Sequence, residues 1–275
     1  SELRELTGVD VELQQSGGFW IGFSEKEVVE REAMLAKINA DGRTPFEMLD
    51  HQALKARLPA IGPKVAGGSW CPLDGHANPL KLLYALHAGI KALGGRICIG
   101  VDVGEVRSLG GGRGFQAKSS DGRRWSGTKI VLAAGLSNNA LAPQLGLHAP
   151  VLPKRGQVLI TERLKKFLPH PTNKARQTAE GTVQLGLSAE DVGLDDGTTV
   201  EAIESIAKRS VATFPILSSV KLVRAWGSLR VLTPDGSPVY QESAQYPGAF
   251  TATSHSGVSL AGSHAYEIAP WIAGV

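Results

Sequence analysis

The chain has 275 residues, 42% hydrophobic and 20% charged, a composition that excludes a disordered polymer, which needs fewer apolar residues and stronger net charge. Its formal charge of +3 comes from 29 basic and 26 acidic side chains scattered without long runs of one sign, so no electrostatic footprint for nucleic acid is present. Cys71 and Cys98 are too few for a disulfide framework and lack a CxxC metal spacing, and no stretch reaches the roughly 18 apolar residues of a membrane span.

In chain order, the opening SELRELTGVD reads as a helix already under way. Ser24 with Glu27 forms a capping box, and Val28, Met34, Leu35 and Ile38 supply an apolar stripe, which predicts a helix from Ser24 to about Ala40. Asp50 is the expected N-cap of a short helix running from His51 to Leu58 and stopped by Pro59. In NPLKLLYALHAGIKALGG, Asn78 caps, Pro79 takes the first helical position, and Gly94 and Gly95 end the helix. Its Leu82, Leu83, Leu86, Ile90 and Leu93 are expected to face a core, and His87 reads as a packed or surface histidine.

The period then changes. RICIGVDVGEVRSL, RGFQAKSS and RRWSG predict a strand and a β-meander with a turn at Asp121 and Gly122, and IVLAAG has the look of a buried strand. GGGRG, from Gly110 to Gly114, lies between meander strands with no helix after it, so it reads as a hairpin loop and not as a dinucleotide fingerprint. A helical segment follows from about Ser137 to Leu145. VLPKRGQVLIT, KARQT, GTVQLG, VKLVRAWGSLRVL and GAFTATS predict strands of a large antiparallel or mixed sheet, interrupted by a helix from about Thr198 to Phe214. SGVSLAGSHAYEIAPWIAG predicts a closing helix, and the basic stretch RLKKF reads as a solvated face. No linker separates the halves, so one large domain and two intermixed ones both fit.

Two stretches suit binding of a ligand by backbone. IVLAAGLSNN is a strand, a glycine turn and a helix, and Ser254–Gly257 opens the last helix without bulky side chains. Each pattern is also compatible with simple packing. Arg230, set in an apolar strand-like run before a Thr-Pro-Asp-Gly turn, is either a surface charge or an inward anion clamp. The sequence has no complete GxGxxG in a strand-turn-helix context, no Walker loop, GxSxG elbow or HExxH, and its dispersed histidines suggest no metal site.

DGHANPLKLLYAL, KIVLAAGLSNN, PKRGQVLIT, RQTAEGTVQLGLSAEDVGLDD, WGSLRVLTPDGSPVY and SHSGVSLAGSHAYEIAPWIAG, in this order, resemble the D-amino-acid oxidase superfamily of FAD-dependent amine oxidoreductases. The resemblance is strongest to its bacterial glycine oxidase, D-amino-acid dehydrogenase, opine oxidase and hydrogen cyanide synthase branches. It covers nearly the whole chain from about Gly67 onward and, more loosely, the part before. It implies an α+β (mixed α/β) fold: a partial FAD-binding domain interleaved with a substrate domain built on a large mixed or antiparallel sheet flanked by helices. The implied division is substrate domain at 1–75 and 151–225, and FAD-binding domain at 76–150 and 226–275.

The same resemblance implies FAD as cofactor. Val103 would lie beside the adenine through its backbone; Ala134, Gly135 and Leu136 would line the cofactor; His255, Ser256, Gly257, Val258 and Ser259 would aim N–H groups at the flavin's pyrimidine edge. Arg230 would bind the substrate carboxylate, with Arg176 and Tyr240 as further pocket residues. The implied reaction oxidises an amine or amino acid, of D-amino acid, glycine or opine type, to an imine by hydride transfer to flavin. Oxygen, a quinone or an electron-transfer partner would accept the electrons, and the expected location is the cytoplasm or the inner-membrane surface. Family members open with a GxGxxG βαβ unit that this sequence does not contain. The expectation is that a longer form of the protein, or a partner subunit, carries it. The alternative is a cofactor-free fragment or inactive substrate-binding or assembly subunit with the same fold.

Overall fold

The computed structural model describes residues 2–40 and 42–275. The chain divides into two compact units: the first takes the chain up to Ile97, then Gly156–Ala189 and Asp196–Ser228; the second takes Cys98–Arg155, Glu190–Asp195 and Leu229–Val275.

The first unit opens with α1 (Glu2–Thr7), β1 (Gly18–Gly22), α2 (Glu25–Ile38), β2 (Glu47–Asp50), α3 (His51–Arg57), β3 (Gly67–Cys71) and α4 (Pro79–Ala92). The caps stand where the sequence puts them. Ser24 Oγ accepts from the Glu27 N–H at 3.2 Å, while Glu27 Oε2 reaches back to the Phe23 N–H at 2.5 Å, one residue before the cap. Asp50 accepts from the Ala53 N–H at 2.8 Å, and Asn78 Oδ1 accepts from the Leu80 and Lys81 N–H groups at 3.2 and 3.3 Å. The antiparallel sheet β1-β3-β2 is not foreseen by the sequence pattern. Its central strand is glycine-rich because the backbones crowd: a Cβ on Gly68 would stand 2.0 Å from the Trp20 carbonyl oxygen.

Two helix faces differ from expectation. On α4 the buried positions are Ala85 and Gly89, while Leu83, Leu86, Ile90 and Leu93 are exposed. The reason is α1, whose Leu3, Leu6 and Thr7 lie against Gly89: small residues let the two helices approach closely, so the small-residue face is the covered one. On α2 only Leu35 is buried, and Met34 and Ile38 are exposed.

Glu12 ties the start of α4 to the preceding chain, accepting from Asn78 Nδ2 at 3.0 Å and pairing with Lys81. The Lys81 hydrogen bond, then that of Asn78, holds the Glu12 carboxyl below its usual range. A folded value below the unfolded one, ordinarily about 4.3, means stability that is present above that pH and lost as pH falls through the folded value. Urea midpoints of the parent and Glu12→Gln should therefore differ at pH of about 6 and converge toward pH of about 3; a gap independent of pH would refute this role.

The second unit begins with the meander β4 (Val103–Ser108), β5 (Phe115–Ser119) and β6 (Arg124–Gly127), joined at Gly110–Gly112 by the expected hairpin loop, whose three glycines all have positive φ. Residues 96–102, expected to start the strand, are irregular. β7 (Ile130–Leu132) is followed by a 3-10 turn, Gly135–Ser137, by α5 (Asn138–Leu141) and by a second 3-10 turn, Ala142–Leu145. β7 is not a fully buried strand: it is the edge of its sheet, with Leu132 buried and Val131 42% exposed.

The chain re-enters the first unit along β8 (Leu152–Arg163), adds β9 (Ala175–Gln177), β10 (Thr182–Gly186) and α6 (Val200–Thr213), capped by Thr199, and leaves along β11 (Leu222–Leu232). These strands form a sheet of order β11-β8-β10-β9. β12 (Val239–Glu242) and β13 (Ala249–Thr253) return to the second unit and join β7 in the order β12-β13-β7. The chain ends in α7 (Ala261–Ser263), a π-helical turn His264–Ile268 and α8 (Ala269–Ala273). The closing helix thus starts at Ala261 and not at Gly257, after a turn over Gly257–Leu260, and Ser256, left-handed at φ +61°, lies outside it.

The fold is the expected mixed α/β class, and the strands among the described residues are shared among four sheets. Ile21, Leu54, Leu159, Val183, Ile206 and Phe214 centre the core of the first unit, and Phe115, Leu132, Leu145 and Ala249 that of the second. Among the described residues no helix is long and apolar enough to cross a membrane.

Candidate functional site

In the second unit β7 and β13 run parallel and adjacent, with Phe250 opposite Val131 and Thr251 opposite Leu132. Neighbouring parallel strands end at the same edge of a sheet, and the segments leaving those ends enclose the crevice where open α/β sheets bind ligands. Here the two segments are the Ala134–Leu136 turn and the Ser254–Ser259 turn, the two stretches that the sequence nominates.

Asn138 fastens these strand ends together. It is fully buried; its Nδ2 donates to Thr253 Oγ1 at 2.5 Å and to the Leu132 carbonyl at 3.1 Å, while its Oδ1 accepts from the Ala134 N–H at 3.2 Å. Thr251 Oγ1 also donates to the Leu132 carbonyl, at 3.2 Å. The sequence does not single out Asn138, one of two neighbouring asparagines in LSNN. The adjacent Asn139 does a different job, bridging to the backbone of Val151 at 2.7 and 3.2 Å.

Gly135 adopts φ +58°, and a Cβ there would stand 3.2 Å from Val231 of β11, so the turn requires glycine both for its conformation and for its approach to that strand. On the other segment, residues His255–Ser259 are exposed, and no atom lies within 4 Å of where a Gly257 Cβ would be. The backbone N–H groups of these five residues donate to none of the described residues. His255 Nδ1 and Ser256 Oγ are 2.8 Å apart.

Arg230 lies on β11 in the second unit and is partly buried, one position before the Val231 that packs on Gly135. Tyr240 lies on β12, its hydroxyl 2.7 Å from His264 Nε2 and its ring edge-on to that imidazole at 5.6 Å. Val103 opens β4 opposite Ser119, and Gln144 takes up the next groups along the strand by accepting from the Val106 N–H and donating to the Gly104 carbonyl. Arg176 belongs to the first unit, on β9. The structure therefore gathers Val103, Ala134–Leu136, Arg230, Tyr240 and His255–Ser259 in one unit and Arg176 in the other.

Arg155 also goes unmarked in the sequence pattern. Its side chain is buried and bonded to Glu190 at 2.8 Å and Asp195 at 2.5 Å, fixing residues 190–195 to the second unit.

The His255–Ser259 N–H groups and the Gly135 turn thus follow the adjacent ends of parallel β13 and β7. Residues 1–271 match the family described as DAO: FAD dependent oxidoreductase. An opine oxidase subunit of Agrobacterium tumefaciens (strain Ach5) is 39% identical over 276 residues, covering 98% of this chain and 73% of that protein. Hydrogen cyanide synthase subunit HcnC of Pseudomonas protegens is 27% identical, covering 92% of this chain and 62% of that one. Among solved structures, glycine oxidase from Geobacillus kaustophilus superposes with a TM-score of 0.89 at 20% identity, over 99% of this chain and 74% of that chain, a likeness of fold.

Proposed function

The chain belongs to the DAO family of FAD-dependent oxidoreductases, and on that premise we propose that it oxidises a carboxylate-bearing amine or amino acid to the imine, as one subunit of a larger enzyme. When bound, FAD supplies the acceptor for a hydride from the carbon that bears the nitrogen. The observation that carries the reading is the row of unpaired N–H groups from His255 to Ser259 beside the Gly135 turn, at the ends of parallel β7 and β13.

The chain's own contribution is orientation and fixed charge. Dipoles already in place at His255–Ser259 stabilise negative charge that develops against them without reorganising. The planar guanidinium of Arg230 grips both oxygens of the substrate carboxylate and so fixes the direction of the neighbouring C–H bond. The lone pair of a neutral substrate amine takes up the positive charge left by the departing hydride, so no strong protein base is required. Water then converts the imine to a keto acid or aldehyde and releases ammonia or an amine.

Two relatives, the opine oxidase and hydrogen cyanide synthase chains, are named as subunits of their enzymes, which supports a partner polypeptide here as well. The proposed electron acceptor is oxygen or a quinone or protein partner, and the proposed compartment is the cytoplasm.

The test is to load the chain with FAD, alone and with its partner, and to add amino acids and N-substituted amino acids without oxygen. Loss of the flavin's visible absorbance on adding substrate is the expected result. Flavin that binds and is reduced by none of these amines would refute the reaction. Failure to take up flavin in either form would favour a cofactor-free assembly subunit.

A further inference from the structure

The turn at His255–Ser259 has little of its own to hold it. Its five residues are exposed, their N–H groups donate to none of the described residues, and no atom lies within 4 Å of where a Gly257 Cβ would be. Ser256 sits at φ +61°, a conformation that costs a non-glycine residue energy and must be imposed by what flanks it. The geometry of the turn is therefore set at its two ends.

The entering end is the buried Thr253, which Asn138 holds. The leaving end is the closing segment, α7, the π-helical turn and α8, none of whose residues is buried, so no apolar core fixes its place. Side-chain anchors do that instead. At the far end the Trp271 and Phe250 rings meet edge to face at 5.1 Å, and Lys129 Nζ donates to the Ile272 and Ala273 carbonyls at 2.6 and 2.8 Å. At the near end the anchor is His264, whose Nε2 is 2.7 Å from the Tyr240 hydroxyl and whose ring meets the Tyr240 ring edge to face at 5.6 Å. Both side chains are partly buried, and His264 opens the π-helical turn, a break in the α-helical ladder of a kind that recurs at functional positions.

Tyr240 lies on β12 opposite Ala252 of β13, two residues before Ser254. From His264 the main chain leads back toward the turn: its N–H donates to the Leu260 carbonyl at 2.9 Å, and the Leu260 N–H to the Ser256 carbonyl at 3.1 Å. The path closes on itself, from β13 through the turn to His264, across to Tyr240 and through β12 back to β13. Cut at the Tyr240–His264 bond, the turn and the start of the closing helix become an open arm.

We propose that His264, held by Tyr240, is the positioning residue of this turn: the bond fixes the direction of the His255–Ser259 N–H groups and so sets how strongly they favour the reduced over the oxidised flavin. The proposal rests on the reading that this turn receives the flavin. It assigns the Tyr240 hydroxyl to His264 and not to the substrate.

The test reads the flavin without turnover. Dye-equilibration potentials are measured on the FAD-loaded chain with its partner for the parent, Tyr240→Phe, His264→Phe and the double variant. Each single variant is expected to lose about three- to tenfold in its preference for reduced over oxidised flavin, the worth of one hydrogen bond, which lowers the two-electron potential by about 15–30 mV. The double variant should fall no further than either single one, because the bond is lost only once. His264→Gln, whose amide takes the place of Nε2 toward the Tyr240 hydroxyl, should restore most of the potential. Parent potentials in both single variants, or additive losses, would overturn the proposal. So would a Tyr240→Phe that raises KM at the parent potential, because the hydroxyl would then belong to the substrate. Hydrogen exchange of the flavin-free full chain distinguishes a failure of the brace from a failure of the flavin reading. The Leu260, Ala261 and His264 amides should exchange faster in Tyr240→Phe, again by about three- to tenfold. Unchanged exchange would overturn the brace whether or not flavin binds; faster exchange in a chain that takes up no flavin would support the brace and refute the flavin reading alone.

Discussion

Replacing Arg230 with leucine is expected to lower kcat/KM of the FAD-loaded enzyme by roughly 100- to 1,000-fold, with most of the loss in KM. Removing one partner of a hydrogen-bonded charge pair costs about 2–5 kcal/mol, and each 1.4 kcal/mol is a factor of ten. The position supports an effect of this size. Arg230 is partly buried on β11, beside the Val231 that abuts the Gly135 turn, so a leucine leaves the substrate carboxylate facing a wall that neither neutralises nor orients it. Arg230→Lys should recover part of the loss, since an ammonium supplies charge without the planar two-pronged contact. The decisive comparison pairs the variant with a substrate whose carboxylate is replaced by an amide. If arginine and carboxylate act on each other, each change alone should cost about the same and the two together scarcely more than one. Additive losses, or a kcat/KM within about threefold of the parent for Arg230→Leu, would remove Arg230 from the site.

How far such a site is legible in the sequence depends on how local its signals are. Ser24, Asp50 and Asn78 announce their helices because a cap is settled within three or four residues, and all three bond as read. The leucines of α4 show the limit of the same logic. Their spacing tells which residues share a face, but only the arrival of α1 on Ala85 and Gly89 decides which face is covered. β3, GGSWC, escapes a pattern search because its glycines answer to the approach of the Trp20 backbone from another strand and not to a local preference for extended chain. The last helix begins late, after a turn entered through a left-handed Ser256, a conformation that a serine in a run of small residues does not advertise. Order and identity of motifs are enough to nominate Arg230 and the two turns. They are not enough for Asn138, whose meaning appears only when β7 and β13 lie side by side: Thr253 stands 115 residues further along the chain.

That long-range role makes Asn138→Leu a strongly damaging change to the second unit. The substitution leaves Thr253 Oγ1 without the Asn138 donor, takes one of two side-chain donors from the Leu132 carbonyl, which keeps Thr251 Oγ1, and frees the N–H of exposed Ala134, and each buried group left unpaired costs about 1–3 kcal/mol. A total of about 2–4 kcal/mol corresponds to a fall in Tm of roughly 8–16 °C for a unit of this size. Loss of stability alone would not show that the amide is what matters, and Asn138→Asp supplies that control. Aspartate has almost the same volume and can still accept from Ala134, but as a carboxylate it cannot donate to the Leu132 carbonyl, and it brings a charge into a buried position. If Asn138 merely fills space, Asp should be milder than Leu. If its NH2 group ties the two strand ends, Asp should be at least as damaging as Leu near neutral pH and should recover on acidification, when protonation restores a donor. Asn139→Leu, at the exposed neighbouring position, should lose far less. Flavin uptake should follow the same order as stability, because Asn138 sets the separation of the two turns that would receive the ring. Thermal unfolding and flavin titration of the three variants check both parts, and an Asp variant as stable as the parent at neutral pH would show that the strand ends are held by something else.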